Sequence, residues 1–279
     1  MVVSLPKPTV CSQQIIDMLV AERQGGKNAV FFKGISGEWK RRVAIYIARA
    51  GSPEFVAEWP DIQPNKNSFL NLYLTPADES AQGRMLATLR DHQLSLCPAC
   101  GEAGSPNTLD HYLPKGKFPH LCVTPLNLFP MCDACQQAKG EKTGDGHSAK
   151  FFIHPYFDVF VAQQVVTLKI ESPFETPTFT LSPRKGLLAL QAALVETHLR
   201  ELEIHDRYVR FFRNQYRRLL RLVGKMRISK LPIRENLKLF QENVSDPSPN
   251  SWEHIFYGAV LADDGLMHFL EHSELPRFL

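Results

Sequence analysis

The chain has 279 residues, 44% of them hydrophobic and 22% charged, with a net charge of +3 at pH 7. These ordinary globular values leave room for a real core and exclude collagen-like, mucin-like and broadly disordered classes. No apolar run approaches the roughly 20 residues of a membrane span, and residues 1–10 lack the layout of a signal peptide, so a cytoplasmic protein without membrane contact is expected.

Ser12 is placed to cap a first helix that carries Ile15, Ile16, Leu19 and Val20 at helical spacing, and Gly25-Gly26 ends it. A second helix is predicted over 39–50, stopped by Gly51-Ser52-Pro53. Residues 60–78, rich in Pro, Asn and Asp, read as a connection, and 81–94 as a third helix. Residues 97–158 are dense in Pro, Gly, Cys and His with short apolar runs, the texture of a small module held by something other than a core. A strand is predicted over 161–170, a Pro-rich loop over 171–185, and one long helix over 186–223. Residues 242–250 read as a turn, and 252–270 as a last helix. The expected organisation is a mainly helical region 1–94, a metal-stapled module 95–160 and a mainly helical region 161–279.

Six cysteines in a reducing compartment point away from disulfides. Four of them form two Cys-x-x-Cys pairs, Cys97 with Cys100 and Cys132 with Cys135, separated by 31 residues. Zinc takes four thiolates in a tetrahedron, and two such turns supply them. All four positions are then filled by sulfur, so this zinc is expected to be structural and to contribute folding energy. Cys11 and Cys122 read as ordinary free thiols.

Between and just after the pairs stand Leu109-Asp110-His111-Tyr112-Leu113-Pro114-Lys115, Pro125-Leu126-Asn127-Leu128 and Cys135-Gln136-Gln137-Ala138-Lys139-Gly140. This pattern resembles the HNH endonucleases of the ββα-metal fold, in the subgroup with two zinc-binding Cys-x-x-Cys knuckles. The resemblance covers about residues 97–158 and leaves the flanking helices unexplained. It implies that Asp110 ends the first strand and holds a catalytic divalent cation, Mg²⁺ or Mn²⁺, with His111 as general base. Asn127 would stand on the second strand and pin the loop that orients His111. The third position, at the start of the following helix, is usually Asn or His and here is Gln136, one methylene longer than Asn. Lys115, Lys117 and Lys139 lie near these groups in sequence and are candidate phosphate contacts. The chemistry agrees with these residue types: histidine titrates near neutral pH, and a neighbouring carboxylate holds a hard cation.

In Phe151-Phe152-Ile153-His154-Pro155-Tyr156-Phe157-Asp158, His154 and Asp158 form a further pair; the favoured reading is aromatic packing with His154 as a satisfied polar residue, the alternative being a support for the metal site or a phosphate contact, and His120 and His147 read as loop histidines. Residues 207–230 carry nine Lys or Arg and no Asp or Glu, and Arg210, Arg213, Arg217 and Arg221 share one helical face. That face is either solvated, a surface that tracks phosphates, or a protein interface.

The expected protein is therefore α+β, with an HNH module between helical regions. It would hydrolyse phosphodiesters, on family grounds in DNA, leaving 5′-phosphate and 3′-hydroxyl ends. The resemblance also implies service in bacterial defence against phage, sometimes beside an ATPase partner. The rival reading is a non-catalytic zinc-stapled binding or assembly subunit, with Gln136 marking lost metal affinity.

Overall fold

The computed structural model describes residues 2–144 and 150–276. His147 lies outside the described residues. The chain is mixed helix and small sheet, and it divides into two compact units: Ser4–Ala99 with Gly104–Val159, and Met1–Val3 with Cys100–Ala103 and Phe160–Leu279. No described helix is long and apolar enough to cross a membrane.

The first unit opens with four helices, α1 (Ser12–Glu22), α2 (Ala29–Ala48), α3 (Lys66–Leu74) and α4 (Ala81–Arg90). Ser12 is not the cap: Cys11 holds that position, and the buried Ser12 hydroxyl has no hydrogen-bond partner. Helix α2 begins ten residues before the expected start at 39, because Ala29 to Gly37 supplies enough apolar contact through Phe32 to extend it. The segment 60–78 is not a plain connection. A 3-10 turn over Pro60–Asn65 leads directly into α3, which buries Phe69 and Leu72. Phe32, Trp39 and Phe69 meet edge-on or tilted with ring centroids 5.0 to 5.6 Å apart, an aromatic centre of the kind that dominates core energetics. Ser80 caps α4 by accepting from the Gly83 N–H, and the helix ends at Arg90, short of the expected 94.

Strands β1 (Thr108–His111) and β2 (Leu128–Met131) then pair antiparallel, with Asp110 opposite Phe129 and His111 opposite Leu128. Helix α5 (Asp133–Lys139) follows at once. Behind the hairpin, the Tyr156 hydroxyl donates to the Leu128 carbonyl, and His154 is buried against Tyr46, whose hydroxyl lies 2.9 Å from Nε2. His154 is thus a satisfied core residue.

In the second unit, the predicted strand starts later than expected. A 3-10 turn occupies Val159–Ala162, and β3 runs over Val166–Glu171. The stretch 171–185 is not a loop throughout: it contains β4 (Thr178–Pro183), paired antiparallel to β3. Both strands alternate buried and exposed residues, the pattern of a sheet with one wet face. The long helix is two, α6 (Ala189–Glu201) and α7 (Ile204–Ile228), broken where Glu203 takes φ +52°. Helix α8 (Ile233–Asn243) was not expected, and the last predicted helix is two, α9 (Trp252–Ala262) and α10 (Asp264–His272), parted at Asp263. Tyr208 of α7 stacks on Trp252 of α9 at 4.0 Å, and Phe212 stacks on Phe256 at 6.0 Å, closing the core. Asn250 is buried and joins the ends of this unit. Its amide donates to the Val161 and Gln163 carbonyls, and its oxygen accepts from the Val165 N–H.

Candidate metal centre and catalytic constellation

The sulfurs of Cys97, Cys100, Cys132 and Cys135 all lie within 4.8 Å of one another, three of the four residues being buried. A tetrahedron with Zn–S bonds of about 2.3 Å has sulfurs roughly 3.8 Å apart, so the cluster fits a single zinc-like ion. The Cys132 N–H donates to Cys97 Sγ at 3.3 Å, which offsets thiolate charge. Arg207 adds to this: its guanidinium is 3.8 Å from Cys100 Sγ and pairs with Glu102 at 2.9 Å.

Asp110 and His111 close strand β1, beside each other in sequence and so aimed to opposite sides of the hairpin's mean plane. His111 is 2% exposed and its Nε2 lies 2.9 Å from the Cys122 carbonyl. A carbonyl only accepts, so Nε2 carries the proton and Nδ1 keeps its lone pair. Burial, and then the charge of Lys115, holds the His111 pKa down to about 3, against the opposing pull of Asp110 and of the Cys122 hydrogen bond. The ring is therefore neutral at physiological pH. The Tyr73 ring meets it edge-on at 4.4 Å, and the Tyr73 hydroxyl donates to the Leu109 carbonyl.

Asn127 is fully buried. It stands in the 3-10 turn Pro125–Asn127 just before β2, not on the strand as expected. Its oxygen accepts from the Leu113 N–H at 2.8 Å, and its amide donates to the Leu113 and Leu121 carbonyls at 3.1 and 3.2 Å. One side chain thus ties both ends of the loop between the strands, including the residue before Cys122.

Gln136 is the fourth residue of α5 rather than its first, because the helix starts inside the second cysteine pair. Its Nε2 donates a long 3.4 Å bond to Asp110 Oδ1. Lys139, one turn on, is 1% exposed, with Nζ 3.1 Å from Asp110 Oδ2. That approach is an ion pair without directed hydrogen-bond geometry, and Oδ2 is buried with no hydrogen-bond partner. A buried carboxylate suits a hard cation, with the Gln136 amide oxygen as a neighbouring donor if the amide turns. With one carboxylate, Mg²⁺ or Mn²⁺ would keep most of its waters.

Lys115 lies 5.5 Å from the Tyr73 ring centroid, and Arg90 lies 5.7 Å from it, so two cations gather on the ring that flanks His111. Lys117 is half-buried in the same loop. Arg210, Arg213, Arg217 and Arg221 are exposed on α7 in the other unit. Not all of the basic block is open. Arg207 turns to Glu102, and Arg227 donates to the Phe269, Leu270 and Ser273 carbonyls at the end of α10.

Sequence reasoning missed Tyr73, which lies in the segment read as a connection, and Arg90. It also missed Cys122, whose thiol donates to the Phe69 carbonyl at 3.0 Å while its own carbonyl holds His111. Burial pushes the Cys122 thiol pKa up, in keeping with an inert structural thiol.

No family model matches the chain, and no solved structure matches it significantly. It is similar to protein ea31 of Escherichia phage lambda, 39% identical over 77 residues that cover 25% of this chain and 24% of that protein. The chain thus spans about a quarter of the length of the relative it matches.

Proposed function

We propose that the chain is an HNH-type endonuclease that hydrolyses nucleic-acid phosphodiesters, in DNA by the resemblance of its motifs. The observation that carries this is a buried His111 whose Nε2 is engaged by the Cys122 carbonyl, one residue after the buried carboxylate of Asp110. Support also comes from the order of parts: two short antiparallel strands, a helix, and a zinc-fitting cysteine cluster at their base.

In this reading His111 Nδ1 accepts a proton from water as the water oxygen bonds to phosphorus. The bond from phosphorus to the 3′ oxygen breaks, the leaving oxygen takes a proton from solvent, and a 5′-phosphate and a 3′-hydroxyl result. The Cys122 carbonyl keeps the ring oriented and stabilises the imidazolium that forms. Asn127 holds the loop that presents that carbonyl. Asp110, with Gln136 beside it, would hold Mg²⁺ or Mn²⁺, which supplies charge stabilisation for the phosphoryl oxygens and leaving group. Lys115 and Arg90, both near the Tyr73 ring, would meet phosphate oxygens. Action in phage defence and an ATPase partner belong to the same proposal and rest on the family resemblance.

The test is nicking of supercoiled plasmid by zinc-loaded protein with Mg²⁺ or Mn²⁺, alone and with the product of the neighbouring gene. His111→Ala is expected to lose about 10²–10⁴-fold in rate. No nicking under any condition sinks the enzyme reading; unchanged nicking in His111→Ala sinks the assignment of the base.

A second reading is a non-catalytic zinc-stapled binding or assembly subunit. One observation favours it: Gln136 and Lys139 already face the two oxygens of Asp110. Specific DNA binding without any Mn²⁺ uptake would select this reading.

A further inference from the structure

We infer that the Lys139 ammonium is a resident competitor for the divalent cation at Asp110, so that the metal must displace it in order to bind. The inference rests on the nuclease reading above and concerns how its metal site is controlled.

Lysine is among the residues least often fully buried, because its charge needs a partner. Lys139 is 1% exposed, at the last position of α5. Its ammonium has Asp110 Oδ2 at 3.1 Å on one side and the Phe152 ring at 5.9 Å on another. Asp110 is thus the carboxylate that this buried ammonium meets at ion-pair distance.

The carboxylate is engaged at both oxygens in return. Its Oδ1 takes one long bond from Gln136, and its Oδ2 has the Lys139 ammonium at 3.1 Å. Gln136 and Lys139 are three residues apart, on one face of α5, so a single helix offers both groups to Asp110. A divalent ion bound to the same oxygen would meet an ammonium at close range in a partly dry site, where like charges repel strongly. The ion and Nζ therefore exclude each other. Metal uptake then requires Lys139 to swing off Asp110, and the affinity measured for the metal is lowered by the strength of the pair that it breaks.

The experiment is a titration of the zinc-loaded full chain with Mn²⁺, free Mn²⁺ being followed by electron paramagnetic resonance without nucleic acid. Wild type, Lys139→Gln, Lys139→Arg, Asp110→Asn and the Asp110→Asn/Lys139→Gln double variant are compared, with zinc content and thermal midpoint as folding controls. Lys139→Gln is expected to bind Mn²⁺ about tenfold tighter than wild type or more, and both variants that carry Asp110→Asn are expected to lose the site. Lys139→Arg keeps the charge and is expected to bind no tighter than wild type. Equal affinity in wild type and Lys139→Gln, with binding still lost on Asp110→Asn, overturns the competitor role and leaves the metal site standing. Tighter binding by Lys139→Arg overturns it too, and keeps the question answerable if Lys139→Gln does not fold. Mn²⁺ uptake that ignores Asp110→Asn, or is absent from every protein, removes the metal reading itself.

Discussion

His120 is a buried imidazole with both ring nitrogens lacking a hydrogen-bond partner. Its backbone is well used, since the Trp39 indole donates to its carbonyl at 2.6 Å, while its ring lies against Trp59 and Phe118 at 5.7 and 6.3 Å. Burial, and then the charge of Arg42, lowers its pKa to about 3. In the unfolded chain that pKa is about 6.5, so between these values the unfolded state binds a proton that the native state refuses. Stability from this residue is complete above pH of about 6.5 and is lost as the pH falls toward 3, with a slope approaching about 1.4 kcal/mol per pH unit. His120→Phe removes two unsatisfied polar atoms and the titration together. It is expected to raise the thermal midpoint at pH 7 by the equivalent of about 1–2 kcal/mol, and to flatten the loss between pH 6 and 4. Urea midpoints for both proteins across that range decide it; parallel pH curves would show that His120 protonates as easily native as unfolded. The reading of His120 as a loop histidine had the backbone right and the environment wrong. Asp110 and His111 are legible because they adjoin in sequence and lie between the cysteine pairs. Tyr73 and the Cys122 carbonyl are not, since one comes from a distant helix and the other is a backbone group that every residue owns.

At the level of elements, legibility follows how local the deciding force is. Helix α1 runs over Ser12–Glu22 as its apolar spacing and the following glycine pair require. Helices α3 and α8 and strand β4 were missed because turn-forming residues or short length hid a pattern that only tertiary burial completes, at Phe69, Leu237, and Phe179 with Leu181. The break between α6 and α7 was missed for the opposite reason: periodicity continues across it, and nothing but the left-handed turn at Glu203 interrupts it. No glycine or proline marks the place. A left-handed conformation costs a non-glycine residue about 1–2 kcal/mol, while glycine there gives back part of the gain as unfolded-state entropy. Glu203 is exposed, with φ +52° and ψ +36°, so Glu203→Gly is expected to stabilise by about 0.5–1 kcal/mol, and Glu203→Val to destabilise by at least as much. Thermal midpoints moving in opposite directions for the two variants are the expected result. A drop in both would mean that the Glu203 side chain, rather than its backbone, holds the corner.

For the whole molecule, a net charge of +3 gives little long-range attraction to nucleic acid, so the affinity that the proposed function calls for would have to come from how charge is arranged. The two units contribute different arrangements. The unit with the hairpin gathers Lys115 and Arg90 on Tyr73, whose ring meets His111. The other presents Arg210, Arg213, Arg217 and Arg221 along the exposed side of α7, while Tyr208, Phe212, Leu219 and Leu220 of the same helix are buried. A row of guanidiniums one turn apart tracks a phosphate backbone without reading bases, and its contribution is the release of counterions. Replacing Arg213 and Arg221 together by Gln leaves the buried side of α7 untouched. If each meets one phosphate, the slope of log affinity against log salt should fall by about 1.8, that is, about 0.9 for each contact on duplex DNA. Fluorescence anisotropy with two labelled duplexes of unrelated sequence, over potassium chloride of about 50 to 200 mM, measures that slope directly. The loss should be the same for both duplexes, since phosphates carry no sequence. An unchanged slope would leave α7 as a solvated face or a protein interface, and would assign any measured affinity to the cations around Tyr73 alone.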